Sequence, residues 1–517
     1  MRRFLYILFC LCGSLAFGQH NKVLPTTEYF YLYGGRNYDE LRSVKELPDG
    51  NYLLAGTSES FGQGTKSAYL VKTDVLGNYL WSNAYGGGNF DVAYTLEVTA
   101  DSGYFVAGYS NSFNPPNGYD GWYFKTDKNG ALLWQKTVSG DDWDFLYGST
   151  PLSDGGYVLC GETYTHSNGN ADAWLVRINA GGDTLWTHHY GGAQDEWFNS
   201  VCVINNSLYA VGANFTHAAD SASEGWIVKL DMNGNVLSQA FAPTQYHYGE
   251  VFNGITPYSG GHFFVCGKTD LVDSSSTQSM IARMDTSLNF VFGPYLGGNT
   301  FAGEYVSFNK IINTSYGNIC TVGTATGGFG GKNIFIVGYH SDLTWVTGFA
   351  RDCGKQYDEY GYDGIYTSAG RLIFVGNAQQ LCAANSGLGL EDGFLVRFDS
   401  DSINNLSITG SQINCFADTL FYWASSLQTY QKKNVQVTLF PNPVSNKAQL
   451  RIETQSTADF TVHIYSVLGN EVKKLQIPGN TDTELDFSTL GNGTYFIKVT
   501  GKSGENISVM KFIISHG

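Results

Sequence analysis

Acidic residues return at nearly even distances along the first three quarters of this 517-residue chain: Asp39, Asp91, Asp144, Asp195, Glu250, Glu304 and Asp358. An aromatic ring stands directly before four of them, at Tyr38, Phe90, Trp143 and Tyr357, and Trp197 lies two positions after Asp195. Aromatic faces cover the C–H surfaces of sugars while carboxylates accept bonds from sugar hydroxyls, so such a ring would hold a glycan. Asp91, Trp143, Asp144, Asp195, Trp197, Tyr357 and Asp358 are therefore the candidate ligand-binding residues. A plainer reading competes: each carboxylate accepts backbone N–H bonds at a turn that a scaffold makes once per repeat. A second acidic set, Asp120, Asp172, Glu224 and Asp392, falls later in the same repeats.

Other chemistries have weaker support. A carboxylate pair could cleave a glycosidic bond, but that depends on a separation that sequence does not measure. His166, His217 and His247, with Asp220 and Glu224 nearby, match no compact metal-ligand spacing and read as solvated loop residues. His188 and His189 are neighbours in a strand, where side chains point to opposite faces. The segments "DKNG" (127–130) and "DMNG" (231–234) lack the bidentate glutamate of a calcium loop and fit hairpin turns. No nucleophile elbow, zinc-protease motif or phosphate loop is present, and neither a metal nor a cofactor is expected.

The elements that must position these residues repeat. "LVKTDVLGNYLWSNAYGG" (70–87) returns as "YFKTDKNGALLWQKTVSG" (123–140) and "LVRINAGGDTLWTHHYGG" (175–192). A glycine closes one apolar run per unit, at Gly56, Gly108, Gly161, Gly212, Gly267, Gly323 and Gly376, with separations of 51 to 56 residues. A period near fifty with several short strands marks a β-propeller with one four-stranded blade per unit. In the first unit, 43–47 reads as inner strand A, followed by "NYLLAG", "AYLVKTD" and "NYLWSNAYG". Trp81, Trp134 and Trp186 in the outer strand read as packing residues. The last unit lacks an outer strand, whereas "TEYFYLYGG" (27–35) is an outer strand without a blade. Pairing one with the other closes a seven-bladed ring and removes two exposed sheet edges.

The opening "MRRFLYILFCLCGSLAFGQ" reads as a secretory signal peptide over residues 1–18, and no later run is long enough to span a bilayer. The mature chain carries 28 basic against 46 acidic residues, a net charge of −18, which disfavours nucleic acid. Seven cysteines remain: Cys160, Cys202, Cys266, Cys320, Cys353, Cys382 and Cys415. Cys160 and Cys266 precede repeat glycines and read as small buried residues. Cys353 and Cys382 are the candidate disulfide, with Cys415 competing for a partner.

The propeller is assigned to 19–402, a linker to 403–434 and a second module, a small β-sandwich, to 435–517. Four motifs in that module, "LFPNPVSN", "VHIYSVLGNEV", "LDFSTLGNGTYFIKV" and "KFII", resemble the type A sorting domain of the type IX secretion system. Pro441, Asn442, Pro443, Gly469, Gly493, Tyr495 and Lys511 carry that likeness. It implies a Bacteroidota-type source, contact with the secretion machinery, and a place outside the cell or on its outer surface. The repeats also resemble those of secreted bacterial propellers, a likeness that implies no activity. "DSI" (401–403) and "DTL" (418–420) resemble bacterial O-glycosylation sites. The expected function is an all-β, exported binding protein for a glycan or protein ligand. The alternatives are an exported glycosidase or lyase acting on polysaccharide and an adhesin or scaffold.

Overall fold

A computed structural model describes residues 29–398, 430–431 and 435–514, apart from 36, 114–117, 139, 166, 168–169, 218–221, 244–248, 271–275, 298–304, 315–316, 327–330, 354–357, 380–390, 441–443, 455–458, 467–470, 492 and 502–505. The segment "YLLAGTS", Tyr52–Ser58, is buried at every position. A strand buried on both faces has an apolar run in place of alternation, which is the case in the middle of a blade stacked between two others. The outer strand Thr184–Tyr190 alternates between exposed and half-buried residues, as an edge facing solvent should.

Seven four-stranded antiparallel sheets are formed by the described residues before 399. Their inner strands are Asp39–Glu46, Asp91–Val98, Asp144–Pro151, Glu196–Ile204, Glu250–Tyr258, Val306–Asn313 and Glu359–Tyr366. Each inner strand touches the next, and the seventh touches the first. Tyr29–Tyr33 pairs with Glu391–Phe398, with Phe30 opposite Val396 and Tyr31 opposite Leu395. The orphan segment near the N-terminus is thus the outer strand of the last blade. The first inner strand starts at Asp39, four residues earlier than the expected 43.

Apolar side chains fill the spaces between blades. Leu53, Ala55 and Leu70 of the first blade meet Leu96, Val106 and Phe124 of the second. Across the closure, Leu41, Leu54 and Val71 meet Ile373, Val375 and Leu395. Each of these leucine, valine, isoleucine and phenylalanine side chains contributes about 1.5–3 kcal/mol on burial, and a closed ring leaves neither end of the stack uncovered.

Every inner strand carries a β-bulge at the same place, and the unpaired residues are Arg42, Tyr94, Tyr147, Asn199, Asn253, Asn309 and Tyr362. The repeat glycines explain themselves here. A Cβ on Gly56 would lie 1.9 Å from the Glu40 carbonyl oxygen, and one on Gly212 1.8 Å from that of Trp197, with the other five equally crowded. The bulge needs that space, and the glycine leaves it empty.

The second module has a five-stranded and a three-stranded sheet sharing one core that includes Leu450, Val462, Ile497 and Phe512. Tyr430–Gln431 pairs with Asn506–Ile514, so strand structure begins inside the span read as linker. Gly493 and Tyr495 lie in the strand Gly493–Thr500 and Lys511 in Asn506–Ile514. Pro441, Asn442, Pro443 and Gly469 lie outside the described residues, as do the signal peptide, both glycosylation-like tripeptides, Cys382 and Cys415.

Candidate functional site

With the four strands of each blade lettered A to D from the inside outward, the D–A crossings between blades and the B–C loops within them share one face. A backbone bond ties them in all seven blades, for example Tyr164 N to the Trp143 carbonyl at 2.8 Å and Phe215 N to that of Asp195 at 3.1 Å. Four of the predicted acids are the first residues of inner strands and are buried: Asp39, Asp91, Asp144 and Glu250. Asp91 accepts from the Gly87 amide and the Ser112 hydroxyl, both at 2.8 Å, and from the Ser110 hydroxyl. Asp144 accepts from the Gly140 amide at 3.0 Å and from the hydroxyls of Thr163 and Thr165. Burial pushes the Asp144 carboxyl above its usual range. These two carboxylates cap the loops.

Three of the predicted positions miss that register. In the fourth and seventh blades the buried strand-start acids are Glu196 and Glu359, one residue after Asp195 and Asp358. In the sixth blade the place is held by Val306, opposite Ala325, and Glu304 lies outside the described residues. The acid and its hydroxyl partner are exchanged there for an apolar pair. Asp195 instead accepts from the Ala171 amide at 3.2 Å, and Asp358 from the Lys332 amide at 2.8 Å. Both steady the loop of the preceding blade.

Trp143 is 48% exposed on this face. It fits because Gly118, at φ +114°, has no side chain: a Cβ there would come within 2.1 Å of the indole. From Trp143 an aromatic path leads inward through Phe145 at 6.3 Å, Tyr147 at a further 6.3 Å and Tyr94 at 5.2 Å between ring centroids. Tyr357 lies outside the described residues.

The path ends in the central channel, a cavity of about 510 Å³. All seven bulge residues line it, together with Trp197. Sequence reasoning missed these seven because no residue type marks a bulge. They divide by chemistry. Arg42 lies between the rings of Tyr94 and Tyr362, 4.3 and 4.6 Å from their centroids, and Glu40 takes its Nε and Nη2 donors at 2.7 and 3.0 Å. Opposite, three amides staple consecutive blades: Asn199 donates to the Phe252 carbonyl at 3.0 Å, Asn253 to that of Phe308 at 2.9 Å, and Asn309 to that of Gly361 at 2.7 Å.

The acids lining this cavity are engaged. Glu97 pairs with Lys45 at 2.8 Å and Asp363 with Lys310 at 3.2 Å. Glu162 accepts from Tyr147 at 2.6 Å, and burial raises its carboxyl. The Asp363 charge in turn holds the Lys310 ammonium above its ordinary value.

Among the described residues no three His, Cys, Asp or Glu side chains gather closely enough to hold a metal. His217 stacks on Phe241 at 3.8 Å and bonds Glu224, while His166, His247 and Asp220 lie outside the described residues. In "DKNG" and "DMNG", Asp127 and Asp231 spend one carboxylate oxygen on two backbone amides each, at 2.8 to 2.9 Å, which is hairpin geometry. Cys160, Cys202, Cys266 and Cys320 are buried free thiols. No described helix is long and apolar enough to cross a membrane.

Several solved structures resemble the chain. PorZ, a surface component of the type IX secretion system of Porphyromonas gingivalis, is 12% identical at a TM-score of 0.40, covering 94% of this chain and 60% of its own. The Pan2 WD40 domain of Neurospora crassa is 10% identical at 0.41, covering 71% and 95%. Drosophila Plexin A, solved with Semaphorin 1b, is 10% identical at 0.42, covering 71% and 88%. The chain therefore spans less than two thirds of the length of PorZ. No curated protein matches it in sequence. Residues 438–515 match the family model of the secretion system C-terminal sorting domain, so a β-propeller here ends in a type IX export signal that directs it to the cell surface or beyond.

Proposed function

We propose that the ring, residues 19–402, is the cargo of that signal and a binding module that holds a glycan on the face formed by its D–A and B–C loops. The observation that carries this reading is the aromatic path from exposed Trp143 through Phe145 and Tyr147 to the channel. Rings of this kind cover sugar faces at little entropic cost, having only two side-chain torsions each. Cleavage of a glycosidic bond needs a carboxylate pair free to exchange protons. Glu97, Asp363 and Glu162 already have cationic or phenolic partners, which favours holding a chain over cutting it.

The test is a glycan array probed with the full chain and with Trp143→Ala. Binding of one glycan class that falls about tenfold or more in the variant supports the reading. Equal binding by both proteins, or turnover of the bound glycan, overturns it.

A further inference from the structure

We propose that the central channel is a second, end-on subsite, which takes the terminal one or two units of an uncharged saccharide. This rests on the glycan reading above and adds a site and a ligand class to it. The cavity, about 510 Å³, lies within the range of roughly 300–1,000 Å³ usual for small-molecule sites.

The carboxylates of its lining are engaged, while several of its donors are left over. Glu97 accepts from both Lys45 and Ser149, at 2.8 and 3.3 Å. Asp363 accepts at Oδ2 from the Ser43 hydroxyl at 3.1 Å and from the Val44 amide at 3.0 Å, and its Oδ1 is paired with the Lys310 ammonium at 3.2 Å. Glu162 is taken by Tyr147. By contrast, Glu40 uses two of the five N–H groups of Arg42. Among the described residues, neither the Trp197 indole N–H nor the hydroxyls of Tyr94 and Tyr362 have a protein acceptor within hydrogen-bond distance. A ligand seated here is therefore read by its acceptor atoms: hydroxyl, ring and glycosidic oxygens, or an acetamido carbonyl.

Charge sets the class. Arg42, Lys45 and Lys310 face the carboxylates of Glu40, Glu97 and Asp363, and Glu162 adds a fourth acid with a phenolic partner, so the wall has no surplus of positive charge before any ligand arrives. An anionic group would find donors but no net attraction, and it would approach against a mature chain of net charge −18. A neutral saccharide incurs neither cost. It also has a C–H face for Trp197, whose ring lines the cavity and is backed by Phe215 at 5.7 Å. The seven bulges then have a use beyond curvature: each brings one side chain to the channel at one level, and the fixed ring pre-orients the donors.

The test is titration calorimetry of the full chain with cellobiose, xylobiose, N,N′-diacetylchitobiose and galactobiose, with digalacturonate as the charged comparison. Variants are Trp197→Ala and Tyr362→Phe for the channel and Trp143→Ala for the outer face, each checked for native unfolding. We expect at least one neutral disaccharide to bind, with affinity unchanged between ~50 and ~500 mM salt. Trp197→Ala should weaken it about tenfold and Tyr362→Phe about threefold, while Trp143→Ala leaves it intact and weakens only the longer glycan found on the array. Array binding that persists with no disaccharide bound overturns the channel site and leaves the outer-face reading standing. Absence of array binding overturns both. Binding of digalacturonate alone, fading with salt, overturns the uncharged class.

Discussion

The hydroxyl of Tyr33 donates to the carbonyl oxygen of Gly77 across 2.6 Å, which bolts the closing strand Tyr29–Tyr33 to the outer hairpin of the adjacent blade. Tyr85 makes the same bond to Gly130 at 2.6 Å and Tyr190 to Gly234 at 2.7 Å. The closing strand thus uses the interlock of an ordinary outer strand. Tyr33→Phe should cost about 1 kcal/mol, seen as a lower urea midpoint at unchanged slope, and Tyr85→Phe should cost the same. A Tyr33 effect near zero beside a normal Tyr85 effect would show that the closure is not fastened by this bond.

The repeat glycines predict a sharper contrast. Gly212→Ala places a methyl 1.8 Å from the Trp197 carbonyl oxygen, so the bulge must shift or the strand pair must open. A loss of about 2–3 kcal/mol is expected. Gly88→Ala meets no atom within 4 Å and should stay within about 0.5 kcal/mol of the parent. Urea midpoints of the two variants decide the matter; similar values would remove the steric account of the repeat.

These glycines also show how far the sequence could be read. Their spacing revealed the period and the ring, because each unit must write the same crowded contact, while the closing strand was legible as an outer strand missing from the last unit and surplus at 27–35. The bulge residues stayed hidden: Arg42, Tyr94 and Asn199 share a backbone position and no chemistry. The one signal was their offset, fourteen residues before the glycine in six blades and thirteen in the fourth. The acids were misplaced for a related reason. Asp195–Glu196 and Asp358–Glu359 are adjacent pairs, and a one-residue slip moves a strand residue to the opposite face. Period alone does not resolve that slip; the buried register does.

The junction of the first and last blades should respond to pH. Asp39 and Asp392 flank Gly34, where a Cβ would lie 2.9 Å from one carboxylate and 2.2 Å from the other. Burial pushes Asp39 up to about 6, and burial with the Asp39 charge pushes Asp392 up to about 7. A carboxyl raised in the folded state stabilises the fold while protonated. That contribution is complete below the unfolded value of about 4 and is lost as pH rises through about 6 to 7. Asp392→Asn should therefore raise stability at about pH 8, by an amount of order 1–2 kcal/mol, and change little near pH 4. Urea titrations at the two pH values test this. A variant less stable than the parent at the higher pH would mean that ionised Asp392 supports the junction.

Arg42 offers the most direct probe of the channel wall. Its guanidinium is held flat between Tyr94 and Tyr362 and forked onto Glu40, so three blades meet on one side chain. Lysine keeps the charge but has neither the planar face nor the paired donors. Arg42→Lys should cost about 1–3 kcal/mol, while Tyr362→Phe, which retains a ring beneath the cation, should cost less than about 1 kcal/mol. The double variant should then fall short of the sum, since lysine has already given up most of what Tyr362 supplies. Additive losses in urea would show that the two side chains act separately and that the aromatic half of the ring is not one unit.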